Sequence, residues 1–273
     1  MNNRNVPFSI LMSVYYKEKP DYLREALDSV LNQSYLPSEI ILVKDGPLTP
    51  ELDSVIADFG KQCSLFKIIE NKKNLGLGLA LAKGLLACSN EFIARMDTDD
   101  ITPNGRFELQ LEKIEEGYDV VSSWIEIFEG AVDNIIAIKK IPEFDNDIKK
   151  LAKKRNPVSH PACMMRKSAI IAAGNYQDFL LFEDYYLWVR MMINGAKFYN
   201  IQESLYKMRG SNCQFGRRGG LKYLKVELNL QYKFYKLGFL NLHEFLRNFF
   251  IRIIVRPLPV SLRRKIQLLI WKR

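Results

Sequence analysis

The sequence predicts an α/β protein: a mostly parallel β-sheet flanked by helices, followed by a basic, amphipathic helical extension at the C-terminal end. Three observations predict it. Apolar, β-rich runs alternate with amphipathic helical stretches through the first third of the chain. Each run ends in polar or acidic residues, as expected where a parallel sheet binds ligands at the carboxyl ends of its strands. The positive charge is concentrated in the last stretch of the chain.

The elements follow in order. Phe8 to Val14 is a β-rich run. Pro20-Asp21 punctuates, with Asp21 the predicted N-cap, and Leu23, Leu27, Val30 and Leu31 fall on one face of the helix that follows. Glu39 to Val43 is a second, nearly continuous apolar strand ending at Lys44-Asp45-Gly46-Pro47. Residues 51–60 read as a helix, Leu65 to Ile69 as a third strand and Leu77 to Ala87 as another helix. Phe92 to Met96 is a fourth strand and runs straight into Asp97-Thr98-Asp99-Asp100. A β-α-β-α-β-α-β order implies a mostly parallel sheet with helices on both faces. Beyond it, Phe107, Leu111 and Ile114 form a helical stripe, Val120 to Trp124 and Asn134 to Ile138 read as strands, and Cys163 to Arg166 as a short one. Residues 183–194 read as a helix opening on Glu183-Asp184, and the tail as helices at about 221–237, 241–255 and 260–271.

The 273 residues suit one large domain, or one domain with an appendage. The division expected is a catalytic domain over 1–220 and a helical tail over 221–273. From Leu221 onward there are 12 Lys or Arg and 2 Glu. Subtracting these from 40 basic and 31 acidic residues leaves 28 and 29 for the body, a net of −1 against +10 for the tail. Such asymmetry points to an anionic surface as the partner of the tail. No apolar stretch reaches the roughly 18 residues of a spanning helix. Met1 to Pro7 is polar and does not read as a signal peptide. The expectation is a cytoplasmic protein, peripheral on the inner face of the cell membrane. Cys63, Cys88, Cys163 and Cys213 are widely spaced, which argues against a zinc site or a disulfide framework and for reduced, packed thiols.

Asp97, Asp99 and Asp100 lie within four residues after a buried strand. Carboxylates that close repel one another unless they are solvated or share a cation. Mg2+ or Mn2+ takes oxygen ligands and keeps positions open for phosphate oxygens. A solvated acidic turn ahead of Pro103 is the alternative, which the position at a strand end disfavours. Glu183-Asp184 opens a helix rich in aromatic residues, where acidic groups are also favoured electrostatically by the helix N-terminus.

Five segments together carry a resemblance. They are Ser13-Val14-Tyr15-Tyr16-Lys17-Glu18, Ile40 to Gly46, Asn74-Leu75-Gly76-Leu77-Gly78, Ala94 to Ile101, and Phe182 to Trp188. In this order and at these intervals, over about residues 8–210, the chain resembles bacterial family 2 glycosyltransferases of the Rossmann-like GT-A fold, the type that builds O-antigens and exopolysaccharides. The resemblance implies an inverting, metal-dependent hexosyl transfer from a nucleotide-diphosphate sugar to a sugar hydroxyl of a lipid-linked acceptor. It favours a UDP-sugar, with galactose the sugar suggested. Asp45 then corresponds to the carboxylate that accepts the nucleobase N–H, Val14 and Glu18 line the base and ribose, and Asn74 and Gly76 form a loop beside the nucleoside. Lys83 stands where many relatives carry Arg. Asp97 and Asp99 correspond to the DxD that meets ribose and Mn2+ or Mg2+. Asp100 is a third candidate ligand, because the family places the ion on differing members of the cluster. Asp184, with Glu183 beside it, corresponds to the general base that removes a hydroxyl proton as the new bond forms. Tyr206 to Arg209, then Arg217-Arg218-Gly219-Gly220, resemble a basic loop that closes over the diphosphate, with Arg209 the cation assigned to it. His160-Pro161 matches an acceptor-side pair in relatives, and a hydrogen-bonded structural histidine is the alternative. Trp124 reads as core, with a sugar platform as the alternative.

In the tail, Leu242, Phe245, Leu246, Phe249, Phe250 and Ile253 repeat at helical spacing, and Leu262, Ile266, Leu269 and Ile270 do so again. Arginines accompany them, a pattern of interfacial helices on anionic lipid. Helices packed on the body with solvated charges are the alternative. No nucleic-acid-binding motif is present. A sugar nucleotidyltransferase would want a Gly-rich loop after the first strand, and Ser13 to Pro20 holds no Gly. A non-catalytic, nucleotide-binding membrane scaffold is the reading from another class, and Asp99 with Asp184 argues against it.

Overall fold

The first strand, Phe8–Val14 (β1), sits at the middle of the sheet and is buried on both faces. In the computed structural model, which describes residues 6–210, 219–263 and 265, it pairs in parallel with Glu39–Lys44 (β2) on one side and Phe92–Arg95 (β4) on the other. Phe66–Glu70 (β3) adds in parallel to β2. The second half of the sheet is mixed. Met164–Arg166 (β7) runs antiparallel between β4 and Val120–Phe128 (β5), and Ile135–Lys139 (β6) is antiparallel to β5. Phe198–Arg209 (β8) lies parallel to β5 along its length, which closes an eight-stranded sheet.

The period-two alternation of the strands divides the core in two. Phe8, Ile10, Met12, Ile40 and Leu42 face a layer made by Pro20–Leu31 (α1), Pro50–Gln62 (α2) and Arg106–Glu115 (α4). Leu11, Ile41, Val43 and Ile93 face a second layer. That layer holds Leu77–Ala87 (α3), Asp145–Ala152 (α5), Lys167–Ala172 (α6) and Glu183–Ile193 (α7). Eight of the eleven residues of α7 are buried, Trp188 completely; each large apolar side chain so removed from water contributes about 1.5–3 kcal/mol. Helix α3 lies so close to the sheet that a Cβ at Gly84 would stand 2.5 Å from Leu11 Cδ1 and 2.6 Å from Val43 Cγ2.

The N-cap of α1 is Lys19, with Pro20 and Asp21 inside the first turn, so the predicted cap at Asp21 is two residues late. Tyr206 to Arg209 are the end of β8 rather than a loop. Arg217, Arg218, Cys213 and the tail beyond Lys265 lie outside the described residues. Gly220–Lys236 (α8) and Leu242–Val255 (α9) form a helical hairpin. Helix α8 delivers Tyr223, Leu230 and Phe234 to the second core layer. Helix α9 starts with a capping box between Asn241 and Glu244. Among the described residues, no helix is long and apolar enough to cross a membrane.

Candidate active site

The carboxyl end of β2 carries Asp45, which is buried and organises its surroundings. Its Oδ1 accepts from Asn71 Nδ2 at 3.0 Å and from the Leu75 N–H at 2.9 Å, and its Oδ2 accepts from the Gly76 N–H at 2.9 Å. The Asp45 carbonyl accepts from Asn74 Nδ2, and the Asp45 N–H donates to the Val14 carbonyl at 2.8 Å. The turn beyond it needs glycine twice over: Gly46 has φ +92°, and a Cβ there would lie 2.7 Å from Asn74 N. Lys83 donates to Asn71 Oδ1 at 2.9 Å and to the Glu70 carbonyl at 2.7 Å. Val14, Asp45, Asn74, Gly76 and Lys83 are therefore one connected group, with Asn71 as the link that the sequence reading omitted. Gly76 is also the N-cap of α3, so the Asp45 carboxylate faces the positive end of that helix.

The second group stands at the end of β4. Asp97, Asp99 and Asp100 each offer a carboxylate oxygen, and these atoms lie within 4.8 Å of one another. Burial raises Asp99 to about 7, and the Asp97 and Glu18 charges add to it. Asp100 is pushed well up by burial and by its two acidic neighbours, although its Oδ1 accepts the Arg209 N–H at 2.7 Å. An oxygen-only cluster that resists full ionisation fits a hard divalent cation. Glu18 reaches the group through Thr98, whose Oγ1 donates to Glu18 Oε2 at 2.8 Å. Arg209 braces the loop from the far side: its Nε donates to the Asp99 carbonyl at 3.0 Å, its Nη2 meets Glu25 Oε2 at 2.5 Å, and its guanidinium lies 3.8 Å from the centre of the Tyr22 ring.

The third group opens α7. Asp184 Oδ2 accepts from Asn156 Nδ2 at 2.6 Å, and Oδ1 from the Tyr185 N–H at 2.6 Å. Glu183 is raised to about 7, chiefly by burial and then by the charge of Asp184. The Asp97 charge also raises Glu183 and the Arg95 charge lowers it, so the second and third groups share one electrostatic field. Arg95 is buried and ion-paired with Asp97 Oδ1. Burial alone would lower its pKa, but the Asp97 carboxylate beside it outweighs that and holds it raised. Gly78 joins the third group to the first: a Cβ there would stand 3.0 Å from Glu183 Cβ and 3.0 Å from the Gln177 carbonyl oxygen. Glu183 thus packs against the first turn of the helix whose cap holds Asp45, with Asp184 next to it in the chain.

Two further sequence candidates are structural in their contacts. His160 is buried, its Nε2 lies 2.8 Å from the Tyr176 hydroxyl, and burial holds it well below the usual histidine range. Trp124 donates from Nε1 to the Ile141 carbonyl at 3.2 Å, with Lys140 over its ring. Residues to which the sequence gives no role include Arg95, Asn71 and Asn156. Arg95 left a signal, since a cation two positions before Asp97 in an apolar strand points to the same face.

Comparison with known proteins bears on the family and the fold. The glycosyl transferase family 2 model matches residues 9–173. The chain is 40% identical over 265 residues, 96% of each protein, to the UDP-Gal:alpha-D-GlcNAc-diphosphoundecaprenol beta-1,3-galactosyltransferase of Escherichia coli. It is 38% identical over 258 residues to the amylovoran biosynthesis glycosyltransferase AmsE of Erwinia amylovora, covering 93% of this chain and 95% of that one. Its fold matches that of S. aureus TarS 1-349 in complex with UDP-GlcNAc, with a TM-score of 0.67 at 15% identity over 90% of this chain and 72% of that one. Against a longer TarS chain the match spans 44% of that protein. With a GT-A-like fold, acidic groups gathered at the sheet's carboxyl edge and a family model covering more than half its length, the chain belongs to glycosyl transferase family 2.

Proposed function

We propose that this glycosyltransferase transfers a hexose, with inversion, from a UDP-sugar to a hydroxyl of a lipid-linked sugar acceptor in cell-surface polysaccharide synthesis. UDP-galactose is the first donor to test, because the E. coli relative at 40% identity is named for that donor. The observation that carries the reading is the junction at Gly78, where Glu183 packs on the first turn of the helix capped through Asp45. In this reading Asp45, Val14, Glu18, Asn74 and Gly76 receive the nucleoside, and Lys83 supports them through Asn71. Asp97, Asp99 and Asp100 would hold Mn2+ or Mg2+, which would supply positive charge against the departing diphosphate. Arg209 and Arg95 keep the acidic loop in place. Asp184, aligned by Asn156 and the Tyr185 N–H, accepts the proton of the acceptor hydroxyl. The new C–O bond forms at the anomeric carbon as the bond to the diphosphate breaks, and no covalent enzyme intermediate is required. Residues 1–220 carry the proposed site, and 221–273, packed on it through α8, bring it to the anionic inner face of the membrane.

The test is a panel of nucleotide sugars with the full chain and a divalent cation, read by mass spectrometry of released nucleotide and of glycosylated acceptor analogue. Wild type is expected to turn over one UDP-sugar, and Asp184→Ala to bind it without transfer. Full turnover by Asp184→Ala would remove the base assignment. Donor binding without turnover by wild type on any acceptor would leave a binding protein.

A further inference from the structure

Helix α9 is built inside out. Its buried positions are Asn248 and Arg252. Together with Glu244 and Arg256 they make a polar row at four-residue spacing, and every member is held by protein groups. Glu244 pairs with Lys153 at 2.9 Å. Asn248 donates to the Lys153 carbonyl at 2.8 Å and to Gln231 Oε1 at 2.9 Å. Arg252 donates to the Lys154 carbonyl at 3.0 Å and pairs with Glu227, as does Arg256. Away from this row, Leu242, Leu246, Phe250, Ile253 and Ile254 face solvent, with Phe250 58% and Ile254 68% exposed. A surface helix ordinarily does the reverse, and a contiguous apolar patch of this kind marks an interaction surface.

We infer that this outer face of α9 is the seat of the enzyme on lipid, lying in the headgroup–acyl boundary of an anionic bilayer. The inference rests on the peripheral-membrane part of the proposed function and assigns the surface that performs it. Charge selects the occupant. Helix α8 exposes Lys222, Lys225, Lys233 and Lys236. The two tail glutamates are turned inward, Glu227 to Arg252 and Arg256 and Glu244 to Lys153. A second copy docking through the same hairpin would bring two such lysine rows together, whereas anionic headgroups complement them. The arginines of α9 therefore serve the protein, and the lysines of α8 supply the attraction to the surface.

The experiment is sedimentation of the full chain with vesicles of phosphatidylcholine alone and of phosphatidylcholine with 25% phosphatidylglycerol. Wild type is expected to bind the anionic vesicles, and Leu246→Ser/Phe250→Ser/Ile254→Ser to lose at least about tenfold in partitioning while donor turnover on a soluble acceptor analogue is unchanged. In a second measurement, Phe250→Trp fluorescence is expected to shift to the blue on anionic vesicles and to be quenched by brominated acyl chains. If the triple variant sediments as wild type does, or the Phe250→Trp variant shows no quenching beyond that of wild type, the assigned face is wrong although the membrane reading stands. If wild type binds neither vesicle, the membrane reading falls with it. A wild-type dimer that the triple variant dissociates, without vesicle binding, would give the face to a second copy and overturn the inference.

Discussion

Replacing Asp45 by Asn separates two roles that a single carboxylate can play at this site. The side chain accepts three hydrogen bonds, from Asn71 Nδ2, Leu75 N–H and Gly76 N–H. An amide offers one acceptor oxygen, so its better orientation keeps the two bonds at Oδ1 and turns an NH2 toward the Gly76 N–H. One charge-assisted bond is then lost, worth about 1.5–3 kcal/mol. The negative charge at the N-terminus of α3 is lost too, worth about 0.3–1 kcal/mol. The sum is about 3 kcal/mol, which at an m-value of about 3 kcal/mol/M lowers the urea midpoint by about 1 M. Equilibrium urea unfolding followed by circular dichroism reads this directly, with UDP titration calorimetry on the same protein. Asp45→Asn is expected to lose stability in the absence of any ligand. If it unfolds at the wild-type midpoint and loses only nucleotide affinity, the carboxylate is not the clamp described here and the reasoning from its three donors fails.

Three more perturbations bear on the rest of the site and on the packing of α3 beneath it. Asn156→Ala removes the side-chain donor to Asp184 Oδ2, and kcat is expected to fall about ten- to a hundredfold with the donor Kd unchanged, as steady-state kinetics beside calorimetry would show. In EDTA, Asp99 and Glu183 are held up near 7 against ordinary values of 3.8 and 4.5. The folded state thus keeps protons that the unfolded chain releases, and stability should drop as pH rises from about 4 through 7. Thermal melts should show that slope, Asp99→Asn or Glu183→Gln should flatten it, and Mn2+ should raise Tm most at the upper end; a slope unchanged in both variants would refute the assignment. At Gly84, helix propensity alone favours alanine by about 1 kcal/mol, but the crowding against Leu11 and Val43 costs about 1–3 kcal/mol. Gly84→Ala is expected to be net destabilising in urea melts, and a stabilised variant would show that α3 can move off the sheet.

Where the sequence pattern is strong, it reads through to the structure. Strands β1, β2 and β4 are apolar runs because both faces are covered, and α3 is bounded as predicted by Leu77 and Ala87. Helix α5 escapes notice because Asp145-Asn146-Asp147 opens it with polar residues and it buries only Ile148 and Ala152. Strand β8 escapes because bulges opposite Trp124 break its alternation. The acidic residues of the site stand out because their type and place at strand ends demand an explanation. Asn71 and Asn156 do not, since a neutral amide that orients a carboxylate has no pattern of its own and is recognised only by its partner in space. The amphipathic repeat of the tail predicts arginines with their charges outward, whereas Arg247, Arg252 and Arg256 turn theirs to the Lys153 carbonyl, the Lys154 carbonyl and Glu227. A helical repeat locates two faces of a helix without telling which one the body claims.

The hold of α9 on the Lys153 and Lys154 carbonyls acts close to the chemistry, because the chain reaches Asn156 only two residues later and Asn156 grips Asp184. Trimming the protein after β8 would keep every acidic side chain of the three groups and yet cut the guy-rope of the segment that carries Asn156. The terminal hairpin is thus coupled to the side chain that orients Asp184, and an acidic core grafted elsewhere should take that hairpin with it.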